Sequence, residues 1–402
     1  MRLISRSAEY ASWQTRLVEI RGNQIHLCTK AGQAGFGETD YADQLLAEHA
    51  PISSGDVVMN LQCGSGLVGI VAARAAMAGQ ITLASSNLLD VEASRQSLRL
   101  EGLTSVDVRH SSGAGIVPND SIDLVLARSP KGRLPIARTI LVAWQALRVG
   151  GTLLLAGAGD DGIQSSLARV ERLFGNLHVL AYRKGCRVGL ATKTRGDQWP
   201  PDDFCEPGLH LESFHRFAAR VGNREFVVCS RPGVFSWDGV DDGAAALIEA
   251  IRIEPGDQVL DLGCGTGIVG VAAGMSSGPD TVTFVDVDSD ALASARESAA
   301  VNGIAGATVV PSDAVSKVAD RRFDVVVANP PFHVGRSTEY DVATEFIRGA
   351  ATVLGPCGRA YVVANRFLPY EAVVREAFGN VETVQVDRRY KVLLGRRGLS
   401  RR

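Results

Sequence analysis

Short apolar runs alternate with amphipathic stretches through the second half of the chain, and turn residues separate them. The apolar runs predict buried strands at residues 258–262, 281–285, 307–310, 324–328 and 359–364. Stretches with one apolar face predict helices that start at residue 268 and span 289–301 and 341–354. Two further runs, 381–386 and 390–394, flank a turn and predict an antiparallel hairpin. Strands that alternate with helices indicate an α/β fold with a mostly parallel, doubly wound sheet.

The same pattern occurs twice. Residues 55–69 (GDVVMNLQCGSGLVG) and 256–270 (GDQVLDLGCGTGIVG) are identical at nine of fifteen positions, at an offset of 201, and the register holds as far as 123–127 against 324–328. The offset then grows to 207 and relaxes to 204, so the differences lie in loops. We therefore expect two tandem Rossmann-like domains, each with a terminal antiparallel hairpin. Their predicted bounds are 1–199 and 232–402, with 200–231 as a connecting segment.

Composition is that of an ordinary globular protein. The 402 residues are 46% hydrophobic, and 42 Lys plus Arg against 44 Asp plus Glu leave a net charge of -2. No overall positive field therefore attracts polyanions, and any contact with nucleic acid must come from local patches. The start of the chain lacks the apolar core of a signal peptide, and no run is long enough to span a membrane, which predicts a cytoplasmic protein. Seven cysteines without a C-x-x-C pair argue against a disulfide framework and a metal site.

A glycine-rich turn follows the first predicted strand of the second copy, so the backbone there can closely approach a ligand. Its candidate binding residues are Asp261, Gly263, Gly265 and Gly267. The spacing also satisfies G-x-G-x-x-G, with an acid about 20 residues on, which leaves a nicotinamide enzyme open at this point.

Two acids follow the next two strands. Asp286 ends the second strand, where a carboxylate can accept hydrogen bonds from both ribose hydroxyls. Asp313 follows the third strand and is a candidate partner for an adenine amino group, although a solvated loop acid fits the sequence equally well.

The most distinctive motif is Asn329-Pro330-Pro331-Phe332, at the end of the fourth strand. Two prolines remove two backbone donors, so the Asn329 amide oxygen and the Pro330 carbonyl are left as acceptors for an NH2 group. Phe332 can stack on a planar base. The alternative is a rigid loop beside a core phenylalanine.

Together these motifs resemble the D-x-G-x-G-x-G turn and N-P-P-[FY] tetrad of class I S-adenosylmethionine-dependent methyltransferases that methylate amino groups. Within that group, residues 234–241, 329–333, 347–350 and 363–370 resemble the bacterial ribosomal RNA guanine-N2 methyltransferases. That family also pairs a degenerate amino-terminal copy with an active second copy.

The resemblance implies methyl transfer from S-adenosylmethionine to a guanine 2-amino group, with Asn329 and Pro330 holding the amine and Phe332 stacking on the base. His333 fits either loop support or a base contact. Residues 232–236 and 367–370 favour small-subunit over large-subunit RNA. The implied partner is ribosomal RNA or a ribosomal subunit, and we expect a monomer without a metal. Two alternatives stay open: methylation of a release-factor glutamine, and a non-catalytic RNA-binding assembly factor.

The first copy has lost the proposed polar contacts. Asn60, Gln62, Ser85 and Ser112 stand where the second copy has Asp261, Gly263, Asp286 and Asp313, and residues 128–131 read RSPK in place of NPPF. We therefore expect this copy to bind no cofactor and to recognise RNA instead.

Basic residues in the first copy suit phosphate contacts. The candidates are Arg128, Lys131, Arg183, Lys184 and Arg187, and Lys193 and Arg195 extend the cluster. The chain also ends in a basic stretch that includes Arg388 and Arg389. The simpler alternative is that these charges are solvated surface groups.

Overall fold

The computed structural model describes residues 10, 12–33, 36–37, 39–196, 201–210, 213–330 and 337–398. The chain divides into two compact units. One is Ser12–Ser213, and the other is Phe214–Arg402 together with Met1–Ala11.

The first unit contains nine strands and five α-helices among its described residues. In chain order they are β1 (Trp13–Ile20), β2 (Asn23–Lys30), α1 (Tyr41–His49), β3 (Val58–Leu61), α2 (Leu67–Ala75), β4 (Ile81–Ser85), α3 (Leu88–Leu100), β5 (Asp107–His110), β6 (Ile122–Arg128), α4 (Arg133–Ala146), β7 (Leu147–Ala158), α5 (Ile163–Phe174), β8 (His178–Arg183) and β9 (Cys186–Thr192).

The second unit repeats this order. Its elements are β10 (His215–Val221), β11 (Arg224–Ser230), α6 (Asp242–Ala250), β12 (Val259–Leu262), α7 (Ile268–Ser277), β13 (Val282–Asp286), α8 (Ser289–Val301), β14 (Thr308–Pro311), β15 (Phe323–Ala328), α9 (Ser337–Val353), β16 (Leu354–Asn365), α10 (Tyr370–Phe378), β17 (Glu382–Val386) and β18 (Tyr390–Arg396).

Each unit is built on one seven-stranded sheet. The strand orders are β5-β4-β3-β6-β7-β9-β8 and β14-β13-β12-β15-β16-β18-β17. The first five strands of each order are parallel, and the last two pairings are antiparallel. The predicted fold is thus confirmed: two tandem, doubly wound sheets, each with a terminal hairpin. The central strands β3 and β12 are buried at every position, because helices cover both faces of a parallel sheet.

A two-stranded hairpin precedes each sheet and packs on the same helix of its unit. The Cys28 N–H donates to Ser97 Oγ at 2.8 Å in the first unit, and the Cys229 N–H donates to Ser298 Oγ at 3.0 Å in the second. Both pairs lie 201 residues apart, so the duplication includes the hairpins. The part of the predicted connecting segment from residue 215 therefore has a counterpart in the first copy, contrary to the absence of one in the aligned letters.

The earlier part of the same segment, residues 201–210, packs on the first unit. Phe204 and Leu209 are buried there, and Glu206 forms an ion pair with Arg133 at the start of α4. Residues 200–231 thus divide between the two units.

Candidate active site

The candidate site lies where the strand order of the second sheet reverses, between β12 and β15. In a doubly wound sheet, ligands bind in the crevice at the carboxyl ends of the strands at such a point. Leu262 at the end of β12 pairs with Val285 of β13 on one side and with Ala328 of β15 on the other. The glycine-rich turn, Asp286 and Asn329 follow these three strand ends, so the fold brings them to one edge.

Within the glycine-rich turn, packing and openness divide the glycines. A Cβ atom at Gly263 would lie 2.7 Å from Phe346 Cε2, and one at Gly267 would lie 2.8 Å from the Cα of Ala295. Gly265 has nothing within 4 Å of its Cβ position and a φ of 52°. The turn therefore exposes bare backbone at Gly265, as close approach of a ligand requires.

The Asp261 side chain fastens this turn from below. It is 3% exposed, and its Oδ2 accepts a hydrogen bond from the Gly270 N–H at 2.8 Å. Burial raises the pKa of this carboxyl to about 8, against the lowering effect of the Gly270 N–H. The structure thus places Asp261 on the protein backbone, where it shapes a binding turn from behind.

Asp286 connects two loops at the end of β13. Its Oδ2 accepts from the Gly265 N–H at 3.0 Å, and its Oδ1 accepts from the Asp288 N–H at 3.0 Å. Asp288 itself accepts from the Asp290 N–H and caps α8. The carboxylate of Asp286 is therefore held in a fixed orientation beside the open backbone of Gly265.

Asp313 is not a solvated loop acid. It is 8% exposed, and its Oδ1 accepts a hydrogen bond from the Tyr10 hydroxyl at 2.8 Å. Burial and the nearby Asp313 raise the pKa of Tyr10, so this tyrosine is a neutral donor. Sequence reasoning missed Tyr10, because nothing local indicates that a residue 303 positions away reaches this strand end.

Asn329 is oriented by a second residue that sequence reasoning missed. The Asn329 Nδ2 donates to Asp241 Oδ2 at 3.0 Å, and the same oxygen accepts from the Ala244 N–H at the start of α6. Because a carboxylate only accepts hydrogen bonds, it determines which end of the Asn329 amide is nitrogen. The sequence signal for Asp241 was its position as an N-cap residue, an acid directly before a helix.

The rest of the tetrad is partly described. Pro330 is buried after β15. Pro331, Phe332 and His333 lie outside the described residues, so their predicted roles in stacking and base contact stay predictions.

The equivalent edge of the first unit carries different bonds. Asn60 donates from Nδ2 to the Leu126 carbonyl at 2.9 Å, and the Ser85 hydroxyl donates to Asp90 Oδ2 at 2.9 Å. Gln62 has a φ of 57° in the place of Gly263, a backbone region that favours glycine. The side chains that occupy this edge thus bond to their own unit.

An ion pair fills the position of the amine site in the first unit. Arg128 stands at the place of Asn329, and its guanidinium pairs with Asp40, which stands at the place of Asp241. Burial raises the pKa of the adjacent Asp43 to about 7, and Arg128 counteracts part of that effect. The Arg128 side chain is only 20% exposed. This placement argues against the predicted phosphate contact, because a compensated, mostly buried charge is not available to RNA.

The other predicted RNA contacts lie at the surface. Lys131 is 67% exposed and lies 3.2 Å from Asp161, and Arg183 is exposed beside Glu48. Lys184 lies over the Tyr41 ring at 4.7 Å, and Arg187 lies over the Tyr182 ring at 4.3 Å. Lys193 is the exception in the basic cluster. It is 2% exposed, and its Nζ donates to two backbone carbonyls and to Asp120, so it belongs to the core.

Two general features were also assessed over the described part of the chain. No group of three or more His, Cys, Asp or Glu side chains is placed to hold a metal ion. In the same residues, every helix is too short or too polar to cross a membrane.

Comparisons with known proteins agree with this site. The profile of the methyltransferase small domain matches residues 24–189 and 225–394, one match in each unit. A ribosomal RNA small subunit methyltransferase C of Pseudomonas aeruginosa is 31% identical over 306 residues, which cover 76% of this chain and 86% of the relative. The enzyme of the same name from Shewanella amazonensis is 32% identical over 286 residues, 68% of this chain and 77% of the relative.

A solved structure is similar over both units. It is the T. thermophilus 16S rRNA N2 G1207 methyltransferase in complex with AdoMet and guanosine, with a TM-score of 0.80 and 28% identity, and the match covers 98% of this chain and 99% of the other. The chain belongs to the ribosomal RNA small subunit methyltransferase C family, whose two halves are both methyltransferase small domains.

Proposed function

We propose that this protein transfers a methyl group from S-adenosylmethionine to the 2-amino group of a guanine in small-subunit ribosomal RNA. One observation carries the proposal. In the second unit, an amide held by a carboxylate lies at the switch point of the sheet, beside the open backbone of Gly265 and the fixed carboxylate of Asp286. Ribosomal RNA as substrate also assigns the reaction to the cytoplasm.

The residues at this edge fit the cofactor. Gly265 offers an open backbone, and Asp286 offers a half-buried carboxylate suited to the ribose hydroxyls. Asp313, already bonded to Tyr10 through Oδ1, would border the adenine side. When bound, S-adenosylmethionine supplies a methyl group activated by its sulfonium, which the amine nitrogen accepts by displacement while a proton passes to solvent.

The protein's part in this chemistry is positioning. With its Nδ2 engaged by Asp241, Asn329 has its Oδ1 as the acceptor for one N–H of the guanine amine. Holding that N–H fixes the direction of the nitrogen lone pair. The amine of a paired guanine lies in the narrow interior of the duplex edge, so the base must be unpaired or extruded to reach Asn329.

The first unit is proposed to recognise RNA. Its candidate cofactor edge is filled by side chains of the unit itself, whereas Arg183, Lys184 and Arg187 are presented at its surface beside two tyrosines. Basic and aromatic groups together suit backbone and base contacts with RNA. The proposed division of labour is therefore recognition by residues 1–199 and catalysis by residues 232–402.

Labelled methyl transfer to small subunits, naked ribosomal RNA and a release factor, followed by nucleoside and amino-acid analysis, tests this function. N2-methylguanosine in RNA is the expected product. Methylglutamine would assign the protein to release factors, and no transfer would favour an assembly factor. Sedimentation in the same buffer tests the predicted monomer.

Two variants test the residues. Asn329→Ala should lower turnover by roughly a hundredfold, the cost seen when one positioned hydrogen-bonding group is removed, with unchanged affinity for the cofactor. Asp286→Ala should weaken that affinity. Asn23→Ala, in an exposed turn of the first unit, and Ser85→Ala, at the equivalent of Asp286, are the matched controls.

A further inference from the structure

A basic groove opens on the second unit outside the site described above. Its volume is about 530 Å³, and it is lined by Asn365, Arg366, Phe367, Arg388 and Arg389. None of these residues has a role in the proposed methyl transfer.

The groove adjoins the candidate amine site. Asn365 at the end of β16 pairs with Tyr390 at the start of β18, and the Arg366 N–H donates to the Arg389 carbonyl at 2.7 Å. The Cβ position of Gly243 lies 3.3 Å from the Tyr390 ring and 3.4 Å from Asn329 Oδ1. The groove therefore begins one residue away from a side chain that borders Asn329.

The chemistry of the lining is aromatic and cationic. Phe367 is 66% exposed, an unusual position for a large apolar ring. Among the described residues, neither Arg366 nor Arg388 has an acid partner, whereas Arg389 pairs with Asp242. An exposed ring between unpaired guanidinium groups matches the way proteins hold single-stranded nucleic acid, by stacking and by phosphate contacts.

The first unit lacks this combination. By the strand register, Gly159 and Asp160 stand at the places of Arg366 and Phe367, and Asp161 follows, paired with Lys131. Both units share the sheet and the terminal hairpin, so the fold does not need an arginine and a phenylalanine in this loop. The groove thus accompanies the copy that has the intact candidate site.

We propose that this groove binds the unpaired RNA next to the target guanine, with Phe367 stacked on a neighbouring base and Arg366 and Arg388 on the flanking phosphates. The inference rests on the proposed function for the nature of the substrate. It adds a way to hold the strand on either side of an extruded base. Charge complementarity and the exposed ring select RNA as the occupant over an apolar or basic protein segment.

Binding of the full-length protein to small-subunit ribosomal RNA, measured separately from methyl transfer, tests the groove. Phe367→Ala should weaken RNA binding about tenfold, the order expected for loss of one stacked base, and Phe367→Trp should bind as wild type. Arg366→Gln with Arg388→Gln should reduce the slope of log affinity against log salt by about two, one for each lost phosphate contact. Met275→Ala and Arg296→Gln, exposed changes on α7 and α8, should have no effect.

The outcomes separate the two proposals. Wild-type RNA affinity in Phe367→Ala, or equal weakening by alanine and tryptophan, overturns the groove whatever the product of the reaction. If Phe367→Ala lost binding to assembled subunits and kept binding to naked RNA, the groove would hold a ribosomal protein and the proposal would be wrong. RNA binding that depends on Phe367 without N2-methylguanosine would retain the groove and refute the proposed function.

Discussion

Asp241 is predicted to determine turnover through Asn329. Its Oδ2 accepts two hydrogen bonds of 3.0 Å, one from Asn329 Nδ2 and one from the Ala244 N–H. The first bond orients the amide, and the second caps α6. Substitutions at this position separate the two effects, because serine and asparagine both cap helices whereas only asparagine keeps a side-chain acceptor of similar reach.

The two bonds predict two magnitudes. A hydrogen bond to a charged group contributes about 1.5 to 3 kcal/mol, and Asn329 is half-buried, so the lower end applies. About 1.4 kcal/mol corresponds to a tenfold change in rate, and Asp241→Ser should therefore lower turnover roughly tenfold. Asp241→Ala should show the same loss and also lower the free energy of unfolding by about 1 kcal/mol, through loss of the cap.

Single-turnover methyl transfer at saturating cofactor and RNA, with thermal unfolding of each variant, measures both quantities. Asp241→Asn should recover most of the rate. Asn87→Ala, which removes the cap of α3 in the first unit, is the matched control and should reduce stability without slowing transfer. A wild-type single-turnover rate in Asp241→Ser would refute the positioning role.

Three further predictions concern the two sheet edges. Burial raises the pKa of Asp261 to about 8, above its unfolded value of about 4. The folded state therefore holds the proton more tightly, and the free energy of unfolding should fall as pH rises from about 4 to about 8; denaturant titrations of Asp261→Asn should lack this part of the slope. Gly263→Gln should abolish cofactor binding in calorimetry, because its Cβ would lie 2.7 Å from Phe346. Arg128→Met should lower the melting temperature by leaving Asp43 without its compensating charge, with cofactor affinity unchanged.

The sequence predicted the sheets because hydrophobic periodicity and the internal repeat are local signals. The runs around Asp261 and Asn329 appear as strands β12 and β15 with nearly the predicted bounds. The hairpins at Trp13–Lys30 and His215–Ser230 were missed, because their register depends on serines of a later helix, about 70 residues away. Helix α6 was missed for a similar reason, since its alanine-rich segment carries few large apolar residues.

Side-chain partnerships were harder to predict than positions. Asp286 and Asn329 were found because they end strands, but the sequence did not show what holds them. Tyr10 and Asp241 supply these contacts from 303 and 88 residues away, distances at which no periodicity acts. Arg128 was read as a surface cation for the same reason, since its partner Asp40 is distant in sequence.

The internal duplication explains why the first unit keeps an acid at Asp40. In both copies this residue precedes the first helix of the sheet, and in both its carboxylate caps that helix. An acid retained for capping also faces the end of the fourth strand, where it can orient an amide or neutralise an arginine. Arg128 takes the second option, and a salt bridge then fills the place where Asn329 leaves an acceptor for substrate. Because the cap is needed in either case, a single change at the strand end is sufficient to convert an amine site into a structural ion pair.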